Sequence, residues 1–335
     1  MSSVYRTTLR EAWQITWKKR WLWLFGLFSA FLGSGGEYNL IAKNIASVQD
    51  GGAVLTSIGS MVRQSGFGVW YETFSEIVGN LNVASIALLI TTLIIIIFIF
   101  VIALISQGAV VSGIFRSHKQ SETGLKESWN RGRSKLKEVF WINLIGKLSL
   151  YLVFALLAFP FFYLFLKTYN LMWQWVLVVI SFLIFVPLAV VVSFLVKYAV
   201  IFAVTKNNDI WLAIRESWKL FCSNWIISIE MSLVLFAVNV LVGVGMILGL
   251  MVTSIPFVII GFVGVYLDIS YVFWFAAILG AVVAFGGVFT VGAMLTVFQM
   301  ASWVILFERL VEGVAIPKIV RLATGLPQSF SRDKK

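Results

Sequence analysis

The sequence predicts an all-α polytopic membrane protein, and three observations lead there. Apolar residues make up 60% of the 335 and charged residues only 12%, about half the share a soluble domain uses to coat itself in water. The apolar residues are gathered into long blocks at 83–115, 139–166, 172–205, 225–251 and 271–307. Each exceeds the ~20 residues that carry a helix across a bilayer core, and none alternates over ~10 residues as a barrel strand does. The third observation is where the charge sits. Residues 1–20 hold five Lys/Arg against one acid, 116–138 seven against three, 206–219 three against two, and 308–335 six against three. The intervening 33–82 has only Lys43 and Arg63 against four acids, and 252–270 only Asp268. Positive charge in short loops marks the cytoplasmic side. The alternation fits six spans with both termini inside. The net charge of +11 therefore reports topology and contact with anionic lipid, not nucleic acid.

The first element is the stretch LREAWQITWKKRWLWLFGLF, residues 9–28. A basic segment before a short apolar run resembles a secretory signal, but the same pattern recurs internally, which predicts a retained first span. Arg10-Glu11-Ala12-Trp13 precedes Trp21, Lys126-Glu127-Ser128-Trp129 precedes Trp141, and Arg215-Glu216-Ser217-Trp218 precedes Trp225. Each tetrad is basic, Glu, small, Trp. Around them apolar residues recur every four positions: Tyr5, Leu9, Trp13, Trp17 and Trp21 in the first, and Ile210, Ile214, Trp218, Cys222 and Ile226 in the third. That spacing gives an apolar stripe on a helix, and Trp with basic neighbours suits the headgroup boundary.

A second echo, Gln107-Gly108-Ala109, Lys197-Tyr198-Ala199 and Gln299-Met300-Ala301, falls near the returning ends of the even spans. The predicted unit is an interfacial helix, an outward span and an inward span, used three times. Repeat 1 covers 1–115 with an outer loop at 33–82, repeat 2 covers 121–205 and repeat 3 covers 210–307, all in one membrane domain ending in a basic tail, 308–335. The six spans are 18–33, 83–115, 139–166, 172–205, 225–251 and 271–307. Residues 255–265 are too short to span alone; they either extend the fifth helix past Pro256 or lie at the outer surface.

The passage FAVTKNNDIWLAIRESWKLFCSNW, from Phe202, resembles a recurring segment in a superfamily of bacterial six-helix membrane proteins. That superfamily includes the membrane domain found beside some glycerophosphodiester phosphodiesterases and related domains of unknown function. The resemblance implies a fold, and a multi-pass protein of a bacterial-type cytoplasmic membrane. The soluble phosphodiesterase domain, with its acidic metal ligands and catalytic histidines, has no counterpart here.

Ionisable residues inside a span are the first places to look for function, because charge at mid-bilayer costs several kcal/mol unless paired or hydrated. Lys147 and Glu230 fall at nearly the same depth in spans three and five. They either pair, as structural glue or as the wall of a polar path, or snorkel to the boundary. Lys197 is near enough to the edge to snorkel. Asn143, Asn239 and Gln299 suit interhelical hydrogen bonds. Gly245 and Gly249, with the stripe Ala276, Gly280 and Ala284, predict close packing of spans five and six, or a dimer face. Cys222 and His118 are the single cysteine and histidine and carry no role here. No nucleotide loop, catalytic triad or zinc spacing occurs, so neither enzyme activity, cofactor nor metal is expected. The expected function is a non-catalytic scaffold, assembly factor or regulator working through anionic lipid and a protein partner or second copy. The alternative is a transporter or channel for a lipid, amphiphile or small solute.

Overall fold

A computed structural model describes residues 4–30, 32, 83–119, 124–167 and 171–313. The expected outer loop 33–82 and residues 314–335 of the basic tail lie outside them. The described residues form helices α1 (Val4–Lys18), α2 (Leu22–Ala30), α3 (Val83–His118), α4 (Leu125–Ser134), α5 (Leu136–Lys167), α6 (Leu171–Thr205), α7 (Ile210–Tyr266) and α8 (Ser270–Val311), with no strand among them. Five of these, α3 and α5 to α8, are long and apolar enough to cross a membrane. A helix satisfies every backbone N–H and C=O within itself, which is what hydrocarbon demands. The nine residues of α2 are too few to cross alone, and part of the expected first span is not described.

Each tetrad helix stops just before an apolar run, and polar residues make the stops. α1 gives way at residues 19–21. α4 and α5 part at Lys135, whose N–H still reaches the Arg131 and Gly132 carbonyls. In α7 the break is Asn224, held at φ −134° and ψ 31°, with its amide donating to the Leu220 carbonyl at 3.1 Å. Residues 255–265 simply continue α7 through Pro256 to Tyr266, so they are not a separate surface segment. Turns end α6 and α7 at Asn207 (φ 59°) and Asp268 (φ 54°), types whose short polar side chains tolerate the left-handed region.

The chain packs as two compact units. The smaller, Gly35–Ile102 with Val153–Val190, is described mainly by apolar helix surface: Ile86, Leu88–Ile90 and Leu93–Phe100 are exposed, and Phe154 meets Phe185 edge-on at 5.6 Å. The larger, Met1–Ser34 with Ala103–Leu152 and Val191–Lys335, contains the core. Three helix segments there are buried on every side: 103–114 of α3, 197–204 of α6 and 296–308 of α8. Aromatic packing joins the last two, with Trp303 against Phe194 and Tyr198, and Phe307 against Phe202 at 4.7 Å.

The tetrad helices cover these segments with their small residues. α1 buries Tyr5, Thr8, Ala12 and Thr16, α4 buries Ser128 and Gly132, and the first part of α7 buries Ala213, Ser217 and Phe221. All are spaced by three or four. The Trp of the first and third tetrads lies off this buried side: Trp13 is 47% and Trp218 52% exposed. Small side chains let backbones approach closely. A β-carbon on Gly108 would stand 3.1 Å from Gly132 Cα, and one on Gly132 would overlap the Ile105 carbonyl oxygen. One on Gly26 of α2 would stand 2.5 Å from Val297 Cγ2 and 2.6 Å from the Ala293 oxygen of α8.

Gly245 and Gly249 do not serve this way, since a β-carbon on either meets open space. Among the glycines of the α7–α8 hairpin, those in close contact lie nearer its tip, at Gly264 and Gly280, where a Gly280 β-carbon would stand 3.0 Å from Phe257 Cβ. Ala276 is buried and Ala284 half-buried. Two alanine substitutions separate these situations. Gly132→Ala should destabilise by about 1–3 kcal/mol through overpacking, read as a lower thermal midpoint in detergent. Gly249→Ala should be neutral or slightly stabilising, because alanine is the better helix former.

Candidate functional site

The buried ends of α3, α6 and α8 carry a layer of polar side chains. Gln107, Lys197 and Gln299 are all buried, at 5%, 7% and 6% exposure. On α3, the Gln107 oxygen accepts from Asn143 Nδ2 of α5 at 2.9 Å, and the same amide donates to its own Val139 carbonyl at 2.8 Å. On α8, Gln299 Nε2 donates to Asn239 Oδ1 of α7 at 2.7 Å. On α6, Lys197 Nζ stands 4.9 Å over the Trp303 ring, a cation–π contact strengthened by desolvation. Beside it the Tyr198 and Ser228 hydroxyls share a hydrogen bond at 2.8 Å. Lys197 thus turns into protein and does not snorkel.

Lys147 and Glu230, for which pairing and snorkelling are the alternatives, are not brought together. Lys147 is exposed, whereas Glu230 is half-buried and accepts from the Tyr5 hydroxyl of α1. The two match in depth but not in rotation. Val139, Ile142, Asn143 and Gly146 are the buried face of α5, and Lys147 points about 100° away from Gly146 around the helix.

Beyond the apolar part of α3, which ends at Phe115, lies a cluster of charges. Arg309 of α8 donates from NH1 to Thr8 Oγ1 at 2.9 Å and from NH2 to Glu11 Oε2 at 2.7 Å, both on α1. His118, at the end of α3, has Nδ1 2.6 Å from Glu308 Oε2 and Nε2 3.4 Å from Glu11 Oε2. Lys119 Nζ lies 3.8 Å from the other Glu308 oxygen. The Glu308 carboxylate raises the His118 pKa above its ordinary value, burial opposes this, and Glu11 adds to the rise. The second tetrad is tied in by Arg116 to Glu127. In the third, Glu216 takes Lys219 of its own helix at 3.0 Å.

The basic residue of each tetrad faces outward, while the Trp residues differ. Arg10, Lys126 and Arg215 are exposed, and Trp129 stacks on Phe25 with centroids 6.0 Å apart. Sequence reasoning misses His118 and Glu308 because an isolated histidine has no periodicity. The only signal is the bunching of both signs of charge at helix ends. Among the described residues no three His, Cys, Asp or Glu gather as metal ligands, and Cys222 is an exposed free thiol. No family model, curated protein or solved structure matches the chain.

A layer of this kind fixes helix rotation, because each buried amide has its partner in one register only. Asn239→Leu or Gln299→Leu alone should lower the thermal midpoint by leaving an amide unsatisfied. The double replacement should cost less than the sum, with a coupling of about 0.6 kcal/mol. Exchanging the charges at Lys147 and Glu230 should give no rescue in the same assay, whereas Tyr5→Phe should weaken the setting of Glu230.

Proposed function

We propose that the chain is a non-catalytic multi-pass protein of a bacterial-type cytoplasmic membrane, a scaffold, assembly factor or regulator built from three repeated hairpins. In this reading there are six spans, both termini are cytoplasmic, and the tetrad helices form a collar around the cytoplasmic ends of the inward helices. One observation carries it. The small residue of every tetrad, Ala12, Ser128 and Ser217, is buried to within 1%, while the basic residue before it, Arg10, Lys126 and Arg215, is exposed. The same four-residue word thus has one side committed to the core and one side offered outward, three times over.

Helix lengths support the placement. The largely exposed run 270–292 of α8 is about 35 Å at most at ~1.5 Å per residue, close to the ~30 Å hydrocarbon core. The buried run 296–308 then lies at and beyond the headgroups, inside the collar. Exposed Trp13, Trp17, Trp211, Trp218 and Trp225 beside exposed Arg10, Lys18, Arg215 and Lys219 suit an interface rich in anionic lipid. The resemblance of the Phe202 segment to the bacterial six-helix superfamily fits this layout.

A transporter or channel is the second reading, favoured by the buried Lys197 and its amide neighbours. Native mass spectrometry of the protein gently extracted from its own membrane separates the two. A stoichiometric protein partner, lost together with bound anionic lipid when Arg10, Lys126 and Arg215 are all changed to Gln, is the expected result. A monomer holding one defined small molecule, released by Lys197→Met and indifferent to the collar changes, would overturn the scaffold reading in favour of transport.

A further inference from the structure

The charge cluster at the junction of α1, α3 and α8 contains the only histidine in the chain, placed between two carboxylates from different helices. His118 Nδ1 is 2.6 Å from Glu308 of α8, and Nε2 is 3.4 Å from Glu11 of α1. An imidazole has one proton to donate when neutral and two when charged. Neutral His118 can therefore satisfy one carboxylate only, and its remaining lone pair then faces the other. Charged His118 donates to both. This holds for either tautomer, so the geometry itself distinguishes the protonation states.

We propose that this cluster is a proton-sensitive latch, in which charged His118 clamps Glu11 of α1 to Glu308 of α8 and loss of its proton loosens α1 from the core. Charged groups surround the imidazole on every element packed against it. α1 contributes Glu11, and α8 contributes Glu308, with Arg309 bound to Glu11 and Thr8. α3 leads into Lys119, beside Glu308, and carries Arg116, which is engaged with Glu127 of α4. Arg309 keeps its hold on Glu11 at any working pH, so α1 loosens without leaving. What loosens is the helix carrying half-exposed Trp13 and Trp17, so proton loss changes how firmly that face is presented.

The direction of the pH dependence follows from linkage. The carboxylates raise the folded-state pKa of His118, so its contribution is fully present below the ordinary histidine pKa of ~6.5 and is lost as pH rises through the higher folded value. Hydrogen exchange of the full chain in nanodiscs, corrected for the intrinsic pH dependence of exchange, reads the effect directly. Amide protection over residues 4–18 should be lost progressively as pH rises from about 6 to about 8.5, while protection over 197–204 holds constant. In His118→Gln the pH response of 4–18 should vanish.

The single histidine gives a second measurement that does not depend on that variant folding. With selectively labelled histidine and a tag free of histidine, the one imidazole NMR signal should titrate above ~6.5. It should titrate lower in Glu308→Gln and in Glu11→Gln. If the signal titrates while protection over 4–18 stays level, or if the pH response persists in His118→Gln, the latch is refuted.

Discussion

The close approach of small residues on short helices to the buried ends of three long ones is the contact on which the larger unit depends. Helices that approach this closely gain van der Waals contact and short hydrogen bonds. Both weaken steeply with distance. Gly132 set against Gly108, and Gly26 against Ala293 and Val297, are places where only hydrogen fits between backbones. Ala12, Ser128 and Ser217 extend the same principle to all three tetrads, each buried to within 1%. Once the backbones are that near, the polar layer can form. Asn143 reaches Gln107 and Asn239 reaches Gln299 at ordinary hydrogen-bond lengths.

That layer also explains how an apolar chain tolerates a buried lysine. Lys197 sits where α6 is buried on all sides, with an indole face below its ammonium and the Tyr198–Ser228 pair beside it. The Gln107, Gln299 and Tyr198 side chains at this level each have a partner on another helix, and a mismatch in register would strand all three. Rotational specificity of this kind does not come from apolar packing alone, where a Leu-rich face accepts many registers.

Much of this is legible in the sequence, and the limits have a physical cause. The tetrads are visible because a helix that faces protein on one side and solvent or headgroups on the other must alternate, and alternation leaves a period. Gln107, Lys197 and Gln299 are visible because polar residues are rare in such blocks. What a linear pattern does not carry is azimuth. An apolar helix surrounded by apolar groups has no marker for which side meets protein, so Lys147 matches Glu230 in depth yet faces outward. Gly245 and Gly249 share a stripe with no neighbour on it for the same reason. The Trp of each tetrad dominates the pattern that the sequence shows, whereas the most deeply buried residue is the small one before it. His118 is invisible because its partners come from α1 and α8, 107 and 190 residues away.

The way the tetrad helices are attached follows from chain connectivity. α4 follows α3 after residues 119–124, and α7 follows α6 after residues 206–209, so each packs on a helix to which a short link already ties it. α1 packs on α8, with Glu11 and Arg309 separated by 298 residues. Loop-closure entropy grows as (3/2)RT ln n, so closing a separation roughly thirty times longer costs at most about 3 kcal/mol more. The compensating contacts are found at that junction: a two-pronged Arg309 contact to Thr8 and Glu11, and His118 bridging Glu11 to Glu308. The junction of α4 with α3 has a backbone contact and the Arg116–Glu127 pair. That of α7 with α6 has Phe221 against Phe194, while Glu216 turns to its own Lys219. Ionic contacts thus concentrate where connectivity helps least. Because ionic contacts respond to protons and salt while backbone contacts do not, the junction that closes the core is also the one most open to control by its surroundings.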